Sequence, residues 1–131
     1  MEQEKLGEAI YKKYIEPTSL KRSTSIGVEI ELPVADLTGG AVDEAVVIGA
    51  ADKFREHFSF AADSTDDNGN VNSMSEPETG DNLSFDCSYS NLELSLGKSD
   101  DLNVIHERFK EYYKYIRSLL EPQGYTLTGM G

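Results

Sequence analysis

Residues 58–97, FSFAADSTDDNGNVNSMSEPETGDNLSFDCSYSNLELSLG, restrict the fold more than any other part of the chain. Short apolar-polar alternations recur there, broken by Asn68-Gly69, by Pro77 and by Gly80-Asp81. Alternation with period two marks strands that rest one face on a core, and Asn-Gly is a strong signal for a tight hairpin. The pattern predicts strands over 59–65, 71–75, 82–88 and 91–97, with turns near Asn68-Gly69 and from Pro77 to Asp81. SIGVEIELP, residues 25–33, reads as an earlier strand, and YTLTGMG, residues 125–131, as a last one. Strands joined by hairpin-length turns build an antiparallel sheet.

Three helices accompany them. Leu6, Ile10 and Tyr14 recur every four residues, which predicts a short amphipathic helix that Pro17 stops. Asp43 is placed to cap a second helix, in which Val46, Val47, Ala50, Ala51, Phe54 and Phe58 share a face; Gly49 inside it costs about 1 kcal/mol. Ser99 or Asp100 is expected to cap a long third helix with a buried stripe of Leu102, Ile105, Phe109, Tyr112, Ile116, Leu119 and Leu120, ended by Pro122 and Gly124. The fold class that follows is α+β: an antiparallel sheet with about three helices packed on one face. At 131 residues with 38% hydrophobic content, residues 1–131 are expected to form one domain around one modest core.

Charge narrows the partners. Twelve Lys and Arg stand against 24 Asp and Glu, a formal charge of −12, and no basic run offers a footprint for nucleic acid or an anionic membrane. No apolar run approaches the roughly 20 residues of a membrane span, and the charged start, MEQEKLGEAIYKKYIEP, is no secretory leader. Cys87 is the only cysteine, so an internal disulfide is excluded and a buried, reduced thiol is expected. A cytoplasmic location is the expectation.

The acids within the strands carry the functional reading. Successive side chains of a strand point to opposite faces, so Ile26, Val28, Ile30 and Leu32 share one face while Gly27, Glu29 and Glu31 share the other. The Cα atoms of Glu29 and Glu31 are then ~6.6 Å apart, at ~3.3 Å per residue. The same parity turns Asp86 away from Leu83, Phe85, Cys87 and Tyr89, and Glu93 away from Leu92, Leu94 and Leu96. With helices on the apolar face, all four acids lie on the open face. A solvated sheet face needs no function, yet strands disfavour acids, and four like charges on one face repel unless a cation or a solvated gap intervenes. Carboxylate clusters of this kind suit Mg²⁺, which takes oxygen ligands and bridges to nucleotide phosphates.

IGVEIELP, followed by DNLSFDCSYSNLELSLGK and then YTLTGMG, resembles the N-terminal part of glutamate–cysteine ligase (γ-glutamylcysteine synthetase), a family related to glutamine synthetase. The resemblance runs from about residue 18 onward. It implies a glutamine synthetase-like catalytic fold, with carboxylates from several strands holding Mg²⁺ or Mn²⁺ around ATP and glutamate. It implies as metal ligands Glu29 and Glu31 from the first strand and Asp86 and Glu93 from later ones. It also implies a reaction in which ATP activates the γ-carboxylate of glutamate for attack by the amine of cysteine, the first step of glutathione synthesis. Family members run to several hundred residues, so this chain is expected to be an inactive N-terminal portion of the catalytic domain. Lys21 and Arg22 are too few to supply the missing triphosphate contacts, and open sheet edges are expected to pair copies into homo-oligomers.

Two other readings stay open: a non-catalytic acidic module that docks a partner protein, and a related ligase with another amine acceptor. STDDNGNVNSMSE is a poor calcium loop, since Ser64 and Ser75 occupy the first and twelfth ligand positions. His57 and His106 lack partners at ligand spacing, and the Asn82-Leu83-Ser84 sequon carries no weight without a leader.

Overall fold

The computed structural model describes residues 2–20 and 24–129. Lys21, Arg22 and the end of the expected last strand, residues 130–131, lie outside the described residues.

A six-stranded antiparallel sheet forms from β1 (Ile26–Asp36), β2 (Ala61–Thr65), β3 (Val71–Ser75), β4 (Asn82–Phe85), β5 (Asn91–Ser99) and β6 (Tyr125–Leu127), in the order β2-β3-β4-β5-β1-β6. Hairpin turns join β2 to β3, β3 to β4 and β4 to β5, so neighbours in sequence are neighbours in space. β1 then inserts between β5 and the short β6.

Among the described residues there are four α-helices, two of which belong to one run. α1 (Glu2–Ile10) passes through a π-helical turn, Tyr11–Ile15, into α2 (Glu16–Ser19). Pro17 therefore does not stop the helix where expected; it sits in the first turn of α2. α3 (Glu44–His57) starts at Asp43, whose carboxylate accepts from the Ala45 N–H at 3.0 Å. α4 (Leu102–Leu120) is capped one residue later than expected: Asp101 accepts from the Asn103 N–H at 2.8 Å, while Ser99 accepts from the Asp101 N–H. A 3₁₀ turn, Glu121–Gln123, and Gly124 at φ 85° then reverse the chain into β6.

The core lies between one sheet face and α3 with α4. Met74, Leu83 and Leu94 are paired in register across β3, β4 and β5 and are at most 1% exposed. Leu32, Leu92 and Leu96 extend this layer. From the helices come Val47, Phe54, Ile105, Tyr112, Ile116 and Leu120. Phe54 is completely buried, with Phe58, Phe60 and Tyr112 rings 4.8–5.4 Å away, edge-on or tilted.

Two expectations about this layer need correction. The first helix does not join it: Leu6, Ile10 and Tyr14 are 49–61% exposed and pack into no part of the core. Leu102, expected in the α4 stripe, lies outside it at the exposed first turn.

Behind the sheet, Asp81 is completely buried and fully partnered. One carboxylate oxygen accepts from the Gly97 N–H and from Arg108, each at 2.7 Å, and the other accepts from the Tyr112 hydroxyl at 2.9 Å. Arg108 also donates to the Gly97 carbonyl. Burial and the hydrogen bond to Asp81 push the Tyr112 hydroxyl above its ordinary titration range.

Candidate metal centre

Strand alternation builds the open face. Two rows run across it in register. One is Ser73, Ser84, Glu93, Glu31 from β3 to β1; the other is Ser75, Asn82, Ser95, Glu29. Both rows are polar because each of these residues sits one position from a core-facing Met, Leu or Ile. Toward β2, Asp63 accepts from Ser75 at 2.5 Å and from Asn82 at 3.2 Å, and Asn82 also donates to Ser73.

Glu31 of β1 and Glu93 of β5 stand directly opposite each other. Asp86 joins them, and one carboxylate oxygen from each of the three lies within 4.8 Å of the others. Glu31 is exposed, whereas Asp86 and Glu93 are half-buried. Oxygen donors trans across Mg²⁺ are separated by about 4.2 Å, and across the larger Ca²⁺ by nearly 5 Å, so side-chain rotation alone closes this set on one hard cation. Like charges facing across an antiparallel pair are destabilising, which gives the cluster an intrinsic appetite for positive charge.

Of the four expected ligands, the structure thus brings three together. Glu29 points to the same face but lies opposite Ser95, two residues along β1 from Glu31. It lines a shallow groove with Gly27, Thr79, Gly80, Gly97 and Lys98 and stands outside the three-acid cluster.

Asp86 reaches the cluster by a route that differs from expectation. Strand β4 ends at Phe85, and residues 86–90 form a tight connection to β5 instead of continuing the strand to residue 88. Backbone bonds close it: the Asp86 N–H donates to the Asn91 carbonyl at 2.9 Å, and the Asn91 N–H to the Ser88 carbonyl at 3.1 Å. Cys87 adopts φ 60°, a left-handed conformation that favours glycine, and this turns the chain immediately beyond Asp86.

Cys87 is therefore exposed, not a buried small hydrophobe. Its thiol donates to Asp86 Oδ1 at 3.3 Å; that bond, the Asp86 charge and the neighbouring Glu31 hold the thiol above its usual titration range.

The connection is tied to the next hairpin along the sheet. Tyr89 stacks edge-on against Phe85 at 4.7 Å, and its hydroxyl donates to Asp66 Oδ2 at 2.6 Å. Asp66 also accepts from the backbone of Asn68 and Asn70 and from the Asn70 side chain. Donation from Tyr89 first, then from Asn70, lowers the Asp66 carboxyl to about 2. The stretch that superficially resembles a calcium loop is thus a hairpin turn organised by Asp66.

Asn91 escaped the sequence reading although its parity with Glu93 and Ser95 places it on the open face. Its Nδ2 lies 3.5 Å from Glu31 Oε2, and its Oδ1 is buried with no hydrogen-bond partner among the described residues. His57 stacks on Tyr115 at 4.1 Å. Among the described residues no helix is long and apolar enough to cross a membrane. Compared with protein-family models, with curated proteins and with solved structures, the chain matches none.

Proposed function

We propose that the open sheet face binds Mg²⁺ or Mn²⁺ through Glu31, Asp86 and Glu93, as the metal-holding part of an ATP-dependent carboxylate–amine ligase of the glutamate–cysteine ligase kind. One observation carries this reading: three acids from β1, the β4–β5 connection and β5 place oxygens within 4.8 Å of one another on a solvent-facing surface. A structural acid cluster would be expected to recruit Lys or Arg, yet among the described residues the hydrogen bonds that reach these three carboxylates come from Asn91, Ser95 and Cys87.

The proposed substrates are glutamate, cysteine and ATP, in a glutamine synthetase-like catalytic fold working in the reducing cytoplasm. The γ-carboxylate of glutamate is a poor electrophile, so its γ-oxygen takes the terminal phosphoryl group of ATP and the amine then displaces phosphate to form the amide. When bound, Mg²⁺ neutralises the phosphate oxygens that accumulate charge. The chain's own part is positional. β1 and β5 fix Glu31 and Glu93 on rigid neighbouring strands, the tied connection fixes Asp86, and Ser95 steadies Glu93 by donating to it at 3.3 Å. Glu29, two residues along β1 in the neighbouring row, is placed to meet a second cation or an ammonium group.

Thermal unfolding with added Mg²⁺ or Mn²⁺ tests the proposal. Metal at one hundred times its dissociation constant should stabilise the chain by about 2.7 kcal/mol, with the melting temperature rising in proportion to the logarithm of free metal. Glu93→Gln should remove that rise without unfolding the protein. No metal-dependent rise would leave the acidic face as a docking surface of a non-catalytic module.

A further inference from the structure

α1, the π-helical turn and α2 form an arm, residues 2–20, that packs into no part of the core. Leu6, Ile10, Tyr11, Tyr14, Ile15 and Leu20 along it are 49–65% exposed. Only four other large hydrophobics among the described residues are exposed, and three of them stand at one end of the body. Ile26 opens β1, and Leu102 and Val104 lie in the first turn of α4. Ile26 pairs with Ser99, three residues before α4 begins, so these three share that end. The arm is rooted there too, because the five residues between Leu20 and Ile26 reach no further than about 22 Å.

Half-exposed side chains of this size present about 100 Å² apiece, so the arm and the end it leaves carry roughly 900 Å² of apolar surface. The largest patch on an ordinary monomer is about 300–600 Å², whereas two such ends facing each other would bury roughly 1,800 Å², the extent of a stable specific interface. Charge selects the same contact. Residues 1–22 hold five Lys or Arg against four Glu, a net +1, which leaves −13 of the chain's −12 on residues 23–131. Two bodies of that charge repel, as do the body and an anionic membrane or nucleic acid, and the arm is where copies can meet without that cost. Gly7 fits a helix partner: it precedes Ile10, Tyr11 and Tyr14 by three, four and seven residues, on the same face, and a Cβ there would meet nothing within 4 Å. Glycine weakens a helix interior, and here it leaves room for a second backbone to approach. We propose that the arm is a dimerisation element: in a two-fold pair of copies, the arms lie against each other and against the apolar end of the opposite body.

Light scattering of the full chain and of a double variant, Ile10→Glu with Tyr14→Glu, tests this. At about 100 µM the wild type should have at least twice the mass of the variant, whether or not sheet edges also join copies, and the difference should vanish on dilution to about 1 µM. Melting curves at about 1 µM should agree within about 2 °C, since neither position belongs to the core. Equal masses at the higher concentration would overturn the proposal, whatever their common value. If the wild type alone then sedimented with phosphatidylcholine vesicles, the stripe would belong on a lipid surface instead. A variant that melts several degrees lower when dilute would also overturn it, by placing the arm on its own body.

Discussion

Asp66 shows how much one side chain arranges at one end of this sheet. Four hydrogen bonds end on its carboxylate, and the one from Tyr89 couples a hairpin turn to the connection that carries Asp86. Its folded value of about 2 lies below the ordinary 3.8, so the stability it contributes is complete above about pH 4 and drains as pH falls toward 2. Tyr89→Phe removes the largest cause of that depression. Carboxyl NMR titration of Asp66 should then show its midpoint moving up toward 3.8, and an unmoved midpoint would contradict the assignment. At this scale the strand acids are legible in the sequence, because parity alone sends Glu29, Glu31 and Glu93 to one face. Asn91 obeys the same parity, but a neutral amide at a strand start gives no chemical signal in sequence. Asp66, Tyr89 and Asp81 act through partners 16 to 31 residues away, which no local pattern encodes.

Among the elements, the connections hold the least legible information. Apolar-polar alternation continues through Cys87 and Tyr89, so the sequence pattern overruns the true end of β4 at Phe85; what stops the strand is the left-handed turn at Cys87. The connection over residues 76–81 is equally constrained. The Thr79 carbonyl oxygen occupies the space a Cβ on Gly97 would need, and Asp81 fastens the end of this connection to β5 and α4. Asp81→Ala would leave the Arg108 guanidinium, only 17% exposed, beside an empty pocket. Urea unfolding should show a loss of about 3 kcal/mol, the usual cost of orphaning one member of a buried charge pair. A change below 1 kcal/mol would show that water replaces the carboxylate there.

Over the whole molecule, the α+β class, the antiparallel order and the helical layer of α3 and α4 follow from periodicity, since each amphipathic face has one place to go. The N-terminal helix breaks that rule. Its apolar stripe carries the correct spacing yet faces outward, so periodicity predicted an element and not its docking. Deletion of residues 1–20 should therefore shift the melting temperature by no more than about 2 °C, and a larger drop would place the helix in the core layer. The sheet keeps two edges, β2, whose five residues are all exposed, and the three-residue β6. Both edges are open to a second copy, and pairing along them should appear as a dimer in light scattering.

The central claim is that Glu31, Asp86 and Glu93 act together as one cation site. Direct Mn²⁺ binding to the wild type and to Glu31→Gln, Asp86→Asn and Glu93→Gln, followed by equilibrium dialysis, tests it most simply. A tight site is expected in the wild type, weakened at least tenfold by each single substitution with no loss of metal-free stability. Equal Mn²⁺ uptake by the wild type and all three variants would contradict it.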